Sequence, residues 1–366
     1  MKIANVQTVP VRIPFSHGGA PAGWGGRAWT TLTVLLLRVE TDDGITGWGE
    51  AFSYNCLRPV QAAIEDMVAP IVVGREAADI AGLMHELQRD LHLFGRYGMT
   101  MFALSALDIA LWDIAGKAAG LPLHRVLGGA SGPRVPGYAS LFKYRDPGLV
   151  AERTTAALAE GYGHIKLHET EEPEVRAARE AAGPGVPIML DTNCPWTPVQ
   201  ARAMAMRLRQ YDLYWLEEPI FPPEDFRSLA RLGRETGVAI AAGENACTAV
   251  EFEKMFAAEA VTYAQPSVTK VGGITEFRKV AALAEARGVA LMPHSPYFGP
   301  GWLATLHLIA ALPNAGLVER LYVTPEASLY GDLIDGSDGQ FRVPEEPGLG
   351  PDPDPDVIKT YAIMPD

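Results

Sequence analysis

Three acidic residues follow short apolar runs at nearly equal intervals along the chain. Asp191 ends PIMLD, Glu217 ends LYWLE and Glu244 follows VAIAAG, which leaves gaps of 26 and 27 residues. A strand, a loop, a helix and a second loop need about that many residues, so the spacing predicts that the three acids end three successive strands of a β/α barrel. Three converging carboxylates repel one another unless a hard cation neutralises them, and Mg²⁺ prefers oxygen ligands of this kind. The alternative is three unrelated acids, each paired with an arginine.

Four further residues with ionisable side chains lie at the ends of other predicted strands: Lys166, His168, His294 and Glu319. We expect Lys166 and His168 to approach the cation from one side and His294 from the other. A divalent cation between two such groups is suited to removal of the weakly acidic proton next to a carboxylate. A protonated Glu319 would donate a hydrogen bond to the developing oxyanion. For His168 alone the alternative is a structural histidine at a strand end.

Eight strand-like segments alternate with amphipathic stretches from residue 135 onward, which is the number that a closed barrel needs. The segments are VPGYAS, GHIKLH, PIMLD, LYWLE, VAIAAGE, VTYAQPS, VALMPH and GLVER. We therefore predict an α/β protein: a modified β/α (TIM-like) barrel with an α+β capping domain built from the N-terminal region and the C-terminal tail. The predicted boundaries are 1–130 for the N-terminal α+β domain, 131–320 for the barrel and 321–366 for a C-terminal segment that packs on the capping domain.

The N-terminal region mixes strands with helices. Its pattern predicts a strand at 3–14, a hairpin that turns at Asp43-Gly44, and three helices before residue 120. The glycine-rich stretch 18–29 lacks the spacing of a phosphate-binding loop, which favours a mobile flap over the active site. Five residues on this flap, on the next loop and at strand ends are candidate substrate contacts: Arg27, Trp29, Tyr54, Asn193 and Ser267.

Composition limits the classes of partner. The chain of 366 residues carries a net charge of −13, which argues against a nucleic-acid or anionic-membrane surface. The three cysteines form no disulfide-type pattern, which fits a reducing compartment. The N-terminus is patterned like a strand rather than a signal peptide, and the apolar runs are expected to fall short of a membrane span. These observations predict a soluble cytoplasmic protein without nucleic-acid or membrane partners.

The chain resembles the enolase superfamily, and within it the mandelate racemase and acid-sugar dehydratase group. The resemblance covers essentially the whole length and is carried by six motifs: LSALDIALWDIAGKAAGLPLHRVLGG at 104–129, MLDTN, WLEEP, AGEN, VGGITE and MPHSPYFGPG. It implies that Asp191, Glu217 and Glu244 hold Mg²⁺ and that His294 is an acid or base. It also implies a homo-oligomer, either a dimer or an octamer, and a small-molecule carboxylate as substrate.

Two positions depart from that group. The second strand of its members usually ends in Lys-x-Lys with the second lysine as base, whereas here Lys166 is followed by His168. The sixth strand usually ends in an aspartate that orients the strand-seven histidine, whereas here Ser267 takes that place. The resemblance therefore predicts that His294 lacks its carboxylate partner.

The leading hypothesis is Mg²⁺-dependent dehydration of a sugar acid to a 2-keto-3-deoxy acid, with His168 as base and His294 as acid for the leaving hydroxyl. One alternative is a racemase, epimerase or cycloisomerase that forms the same enediolate. A second alternative, from a different class, is a barrel that binds an acid without turnover.

Overall fold

The computed structural model describes residues 1–20, 23, 28–129 and 134–363. The chain begins with an antiparallel sheet of three long strands in sequential order, β1 (Ile3–Ser16), β2 (Thr31–Thr41) and β3 (Thr46–Ala51). The predicted hairpin is confirmed, because β2 and β3 pair around a turn in which Gly44 has a φ of +91°. Glycine adopts this conformation without the strain that a side chain would introduce.

The predicted helical stretch follows the sheet. Its elements are α1 (Leu57–Ala62), a π-helical turn (Ala63–Val68), α2 (Ala69–Val72), α3 (Ile80–Asp90), a 3₁₀ turn (His92–Phe94), α4 (Met99–Ala119) and α5 (Leu123–Val126). Helix α4 packs across β2 and β3, and it ends where Gly120 adopts the left-handed conformation typical of a helix C-terminus. The N-terminal region is therefore an α+β unit with α4 as its central helix.

Eight parallel strands then alternate with helices, as the sequence predicted. The strands are β4 (Arg134–Ser140), β5 (Ile165–Leu167), β6 (Ile188–Asp191), β7 (Leu213–Glu217), β8 (Ile240–Ala242), β9 (Tyr263–Ala264), β10 (Ala290–Leu291) and β11 (Val318–Leu321). The intervening helices are α6 (Pro147–Ala159), α7 (Glu172–Ala182), α8 (Pro198–Leu208) with a 3₁₀ turn (Arg209–Tyr211), α9 (Phe226–Thr236), α10 (Thr248–Ala257), α11 (Gly273–Arg287) and α12 (Pro300–Ala311).

These strands form one curled sheet that closes on itself. The strands β4 to β10 pair in sequence order, and β11 pairs with β4 on the other side. A parallel bridge between Leu291 and Ala315, at the entry to β11, joins the two ends of the sheet. Tyr138, Met189, Trp215 and Met292 fill part of the barrel interior. Trp215 Nε1 donates to Glu217 Oε2 at 2.9 Å, so this layer lies directly beneath the polar side chains at the carboxyl ends of the strands.

The C-terminal segment contacts both parts of the molecule. β12 (Thr324–Pro325) adds to the capping sheet beside β1, and α14 (Pro355–Tyr361) packs on the same strand. Between them lie α13 (Asp332–Asp335) and β13 (Gln340–Arg342), and β13 pairs antiparallel with barrel strand β4. The segment thus connects the capping sheet with the barrel, while the boundaries at residues 130 and 320 stay predictions.

Helix α4 corrects one expectation. Its 21 residues, with a mean hydropathy of 1.4 over the most apolar window, are long and apolar enough to span a membrane. The expectation that every apolar run falls short of such a span is therefore wrong for this segment. However, 78 % of that window is buried inside the protein, so its apolar surface belongs to the core.

Polar side chains of α4 hold the start of α11, which fixes the capping region on the barrel. The amide N–H groups of Gly272 and Gly273 donate to Ser105 Oγ at 2.9 and 3.1 Å, and that of Thr275 donates to Asp108 Oδ1 at 2.9 Å. The first amides of a helix have no partner within the helix, so these side chains satisfy them. The motifs at 104–129 and 271–276 thus meet at one interface.

Replacing Gly273 by alanine should weaken this interface. Gly273 has a φ of +77°, and a methyl group there would overlap the side chain of Asp108. Gly288, at the other end of α11, has a φ of +66° and no atom within 4 Å of an added methyl group. We expect Gly288→Ala to lower the free energy of unfolding by about 1–2 kcal/mol through backbone strain alone, and Gly273→Ala by about 2 kcal/mol more through overlap. Equal losses in urea unfolding would show that the α4–α11 contact tolerates the added group.

A buried histidine pair joins α5 to α12. His307 Nε2–H donates to the carbonyl oxygen of Leu349 at 3.1 Å, and His307 Nδ1 accepts from the amide of His124 at 3.1 Å. Burial lowers the pKa of His307 to about 3. The folded protein therefore holds this imidazole neutral, although the same side chain in the unfolded chain takes up a proton below a pH of about 6.5.

This pair should make part of the stability pH-dependent. Because the folded pKa is depressed, the unfolded chain binds the extra proton, and stability is lost as the pH falls from about 6.5 towards 3. His307→Gln keeps a donor for Leu349 but cannot titrate. We expect the stability advantage of the parent protein over this variant to shrink by about 3 kcal/mol between pH 7 and pH 4. Urea unfolding at both values tests this, and a pH-independent difference would contradict it.

Candidate active site

The three predicted metal ligands lie together at the carboxyl end of the barrel. Asp191 and Glu217 end the paired strands β6 and β7 and stand opposite each other in register, and Glu244 follows the neighbouring β8 by two residues. One carboxylate oxygen from each residue lies within 4.8 Å of the other two. Adjacent parallel strands bring their ends to one edge, so the even spacing in the sequence becomes proximity in space. The three oxygens form a set that a divalent cation can bridge.

Lys166, on β5, fills the centre of this acidic group. Its side chain is fully buried, and its Nζ lies within 3.0 Å of three carboxylates: Asp191 Oδ2 at 3.0 Å, Glu217 Oε1 at 2.6 Å and Glu319 Oε1 at 3.0 Å. Burial opposes the charged form, but these carboxylates outweigh it and raise the pKa of Lys166 well above its usual value. Lys166 is therefore an ammonium ion that holds the acids together.

The charge balance of the site fits a divalent cation. Five carboxyl groups face two lysines here: Asp191, Glu217, Glu218, Glu244 and Glu319 against Lys166 and Lys270. Burial, and then neighbouring carboxylates, raise the pKa of Glu217 well above its usual value and that of Glu218 to about 8. The acids thus lack enough positive charge to ionise freely, and a bound cation would supply it. The donor set consists of hard oxygens, which suits Mg²⁺.

Two imidazoles flank the acidic group. His168 Nδ1 lies 2.6 Å from the carbonyl oxygen of Leu141, and its Nε2 lies 3.3 Å from Asp191 Oδ2. A carbonyl oxygen only accepts, so Nδ1 carries the proton and Nε2 is the nitrogen that can take up another. His294 Nε2 lies 2.8 Å from Glu244 Oε2, on the far side of the ligand set. The expected arrangement of one histidine on each side is therefore present in the structure.

The environment of Glu319 differs from the expectation of a protonated side chain. Ser140 Oγ donates to Glu319 Oε1 at 2.7 Å, the amide of Ser295 donates to Oε2 at 3.2 Å, and Lys166 forms an ion pair with the same carboxylate. Burial alone would raise the pKa of Glu319, but positive charge, chiefly that of Lys166, outweighs it, and the pKa is lowered. A carboxylate surrounded by donors is ionised, so Glu319 accepts hydrogen bonds here and donates none.

Ser267 also differs from its expected place among the substrate contacts. It is 1 % exposed and does not line the cavity. Its hydroxyl lies behind His294, 3.2 Å from Nδ1, and contacts the phenol oxygen of Tyr297. The position that would carry an orienting aspartate is thus filled by two hydroxyl groups. Tyr297 was not predicted as a site residue, because nothing in MPHSPYFGPG distinguishes it from an aromatic residue of the core.

A cavity of about 640 Å³ opens above the acids. His168, Glu244, His294 and Glu319 line its floor. Trp29, Tyr54 and Asn193 line it as predicted, whereas Arg27 lies outside the described residues. Sequence reasoning missed other lining residues, chiefly aromatic side chains: Phe52, Phe102, Tyr297 and Phe298. Lys270, which follows the sixth predicted strand, also lines the cavity. Lys270 Nζ lies 4.9 Å from the Phe52 ring centre and 3.9 Å from Glu244 Oε1, so a positive charge faces the cavity.

The cysteines are neutral thiols with no disulfide among them. Burial raises the pKa of Cys56 to about 11 and that of Cys247 to about 12, and it also raises the pKa of Cys194. A thiol is nucleophilic only as the thiolate, so these side chains pack rather than react.

Two family models match the chain. Residues 19–128 match the N-terminal domain of mandelate racemase and muconate lactonizing enzyme, and residues 149–357 match the enolase C-terminal domain-like family. This chain belongs to the enolase superfamily. The resemblance drawn from its motifs is thereby confirmed, and so is the fold that it implied.

Named relatives of this enolase-superfamily member catalyse related reactions. It is 34 % identical over 358 residues to a 3,6-anhydro-alpha-L-galactonate cycloisomerase of Streptomyces coelicolor, covering 95 % of this chain and 96 % of that one. It is 33 % identical over 347 residues to a D-galactonate dehydratase of Xanthomonas oryzae, covering 89 % and 90 %. A solved structure of a racemase from Streptomyces coelicolor with bound magnesium superposes with a TM-score of 0.87 at 31 % identity, covering 99 % of this chain and all of that one.

These relatives show that the chain is an enzyme of the lyase or isomerase class. The alternative of a barrel that binds an acid without turnover is therefore set aside. The chemistry shared by the family is metal-dependent abstraction of the proton next to a carboxylate, which gives an enediolate.

Loss of Lys166 should make stability depend on added Mg²⁺. Lys166→Met leaves buried carboxylates without their cation, which we expect to cost about 3–5 kcal/mol in the presence of a chelator. Because Mg²⁺ replaces the missing charge, the melting temperature of this variant should rise more with MgCl₂ than that of the parent protein. Lys279→Met is a matched control, since that lysine is 54 % exposed and forms its ion pair with Glu276, away from the acidic group. Identical Mg²⁺ responses in all three proteins would count against a cation site at these acids.

Proposed function

We propose that this protein is a Mg²⁺-dependent sugar-acid dehydratase, in which His168 removes the proton next to the carboxylate and His294 protonates the departing oxygen. The contact between His168 Nδ1 and the carbonyl of Leu141 carries the proposal, because it leaves Nε2 as the basic nitrogen beside the acidic group. A lysine is the other base expected at the end of this strand, but Lys166 is fully buried among carboxylates. His168 is thus the group on this side that can accept a proton.

Asp191, Glu217 and Glu244 would hold the cation through their clustered oxygens. When bound, Mg²⁺ would supply a Lewis acid for the negative charge that develops on the substrate carboxylate. Lys166 fixes the orientation of two of these ligands and of Glu319, so the set is preorganised before substrate arrives. Lys270 is the lysine among the described residues that line the cavity, and its ammonium group supports binding of an anionic substrate.

Proton delivery to the leaving group is proposed for His294. It lines the cavity on the side away from His168, so one histidine can act at the α-carbon while the other reaches the β-oxygen. A carboxylate at Nδ1 would hold the proton on the imidazole, whereas the hydroxyls of Ser267 and Tyr297 at that nitrogen carry no charge that does so. On the Nε2 side lies Glu244, a predicted metal ligand whose charge a bound cation would offset. That environment favours a proton donor over a strong base.

The proposed substrate class is a sugar acid with an oxygen substituent β to the carboxylate. Dehydration expels this oxygen as water and yields a 2-keto-3-deoxy acid. In a 3,6-anhydro acid the same carbon carries the ring ether, so expulsion opens the ring and the product is an isomer of the substrate. A cycloisomerase is therefore the second candidate, and the relative named as one supports it. Racemisation and epimerisation need proton return to the α-carbon instead of loss of the oxygen.

Other statements about partners stay predictions. They are a homo-oligomer, either dimeric or octameric, the absence of nucleic-acid and membrane partners, and a cytoplasmic location.

Replacing His168 should abolish the reaction but spare the metal site. We expect His168→Asn to lower kcat by about 10³-fold, the range of a lost general base. Because His168 also lies beside Asp191, calorimetry should show Mg²⁺ affinity lowered by no more than about tenfold, the smaller end of the range for a lost supporting contact. His164→Asn is the matched control, because that residue lies before the start of the same strand and packs on Tyr214. An undiminished rate in His168→Asn would remove the proposed base.

A screen of five- and six-carbon aldonic acids and of 3,6-anhydro-L-galactonate, read out as 2-keto acid, identifies the substrate. In D₂O, deuterium at the α-carbon of recovered acid without any keto acid would overturn dehydration in favour of racemisation or epimerisation. A ring-opened isomer formed only from the anhydro acid would favour cycloisomerisation.

A further inference from the structure

The inner nitrogen of His294 faces two hydroxyl groups. Ser267 Oγ lies 3.2 Å from His294 Nδ1, and the phenol oxygen of Tyr297 lies 3.4 Å from the same nitrogen. The two hydroxyl oxygens are also in contact with each other, so the three groups form one compact cluster. Tyr297 and Ser267 are 5 % and 1 % exposed; Tyr297 borders the cavity together with His294, whereas Ser267 does not line it.

We propose that Tyr297, acting together with Ser267, positions the imidazole of His294 for proton delivery to the departing oxygen of the substrate. This inference rests on the proposed function. It assigns Tyr297 as a positioning residue, because it acts on the substrate through His294 and Ser267.

The backbone fixes the phenol in this place. Tyr297 follows His294 by three residues, and its amide donates to the carbonyl oxygen of Ser295 at 2.7 Å, which turns the chain back on itself. The aromatic ring stands nearly perpendicular to the imidazole, at 83° with a centroid distance of 6.0 Å. Burial raises the pKa of Tyr297, so the phenol keeps its proton and stays able to donate a hydrogen bond. The ring and its hydroxyl together limit rotation of His294.

Hydroxyl groups differ from a carboxylate in one useful way. A carboxylate only accepts hydrogen bonds, whereas each hydroxyl can donate or accept. The Ser267–Tyr297 pair can therefore satisfy His294 Nδ1 whether or not that nitrogen carries a proton, by reversing the direction of its hydrogen bonds. On the other side of the ring, Nε2 is held by Glu244 at 2.8 Å. Neither orientation of the hydroxyl pair requires the imidazole to move.

Tyr297→Phe tests the proposal, because it removes the hydroxyl and keeps the ring. The assay uses the Mg²⁺-loaded protein in D₂O with D-galactonate or 3,6-anhydro-L-galactonate, whichever is turned over faster. We expect kcat for keto-acid formation to fall about 10–100-fold, as for other lost supporting hydrogen bonds, with KM changed by less than about threefold. Proton removal by His168 does not depend on Tyr297, so the enediolate should still form and take up deuterium at the α-carbon. The ratio of deuterium in recovered substrate to keto acid formed should therefore rise by at least about tenfold.

Ser267→Ala provides a second arm and should shift the exchange-to-product ratio in the same direction. If Tyr297→Phe does not fold, Ser267→Ala alone tests the proposal. Tyr162→Phe is the control for loss of a buried phenol, since Tyr162 packs near Phe341 and Tyr322 away from the cavity. That variant should leave both rates unchanged.

Two results would overturn the assignment. One is an equal fall in exchange and in product formation, which would mean that the hydroxyl pair supports the whole site and not His294 specifically. The other is an unchanged ratio in both variants. Failure of the proposed function looks different: the parent protein would then form no keto acid from either substrate, and His168→Asn would behave like the parent.

Discussion

The burial of several like charges in one small space is the constraint on which this structure depends. Carboxylates at the ends of β6, β7 and β11 surround the ammonium of Lys166, which has no access to solvent. Removing charged groups from water is expensive unless each finds a partner, so the four side chains fix one another's positions. One lysine cannot neutralise them all, and this deficit is what prepares the site for a divalent cation. The rigidity of the site and its suitability for a divalent cation thus have the same electrostatic origin.

The barrel provides this arrangement, and the capping region encloses it. Ser105 and Asp108 on α4 satisfy the first amides of α11, and the tail strand β12 pairs with β1. These contacts hold Trp29, Phe52 and Tyr54 over the strand ends, where they form the walls of the cavity. Residues that are far apart in the sequence therefore share the site: the barrel supplies the charged groups, and the capping region supplies most of the aromatic surface.

The two histidines show how neighbours assign different tasks to the same kind of side chain. A backbone carbonyl behind His168 fixes the tautomer and leaves Nε2 to accept a proton. Behind His294 stand two hydroxyls, which carry no charge. Both imidazoles also touch a carboxylate of the predicted metal site, Asp191 in one case and Glu244 in the other. Under the proposed function, the asymmetry between the base and the acid therefore comes from the groups behind each ring.

By itself the sequence determined the features that rest on local pattern. Apolar runs that stop at a carboxylate, about one βα unit apart, located the barrel strands, and parallel pairing then obliged Asp191, Glu217 and Glu244 to meet. Only the tertiary structure decided what depends on contacts between distant segments. Glu319 faces Lys166 because their ion pair joins β5 to β11, and Ser267 lies behind His294 in contact with Tyr297 and not in the cavity. Protonation and exposure are set by the three-dimensional neighbours of a side chain, which spacing along the chain does not encode.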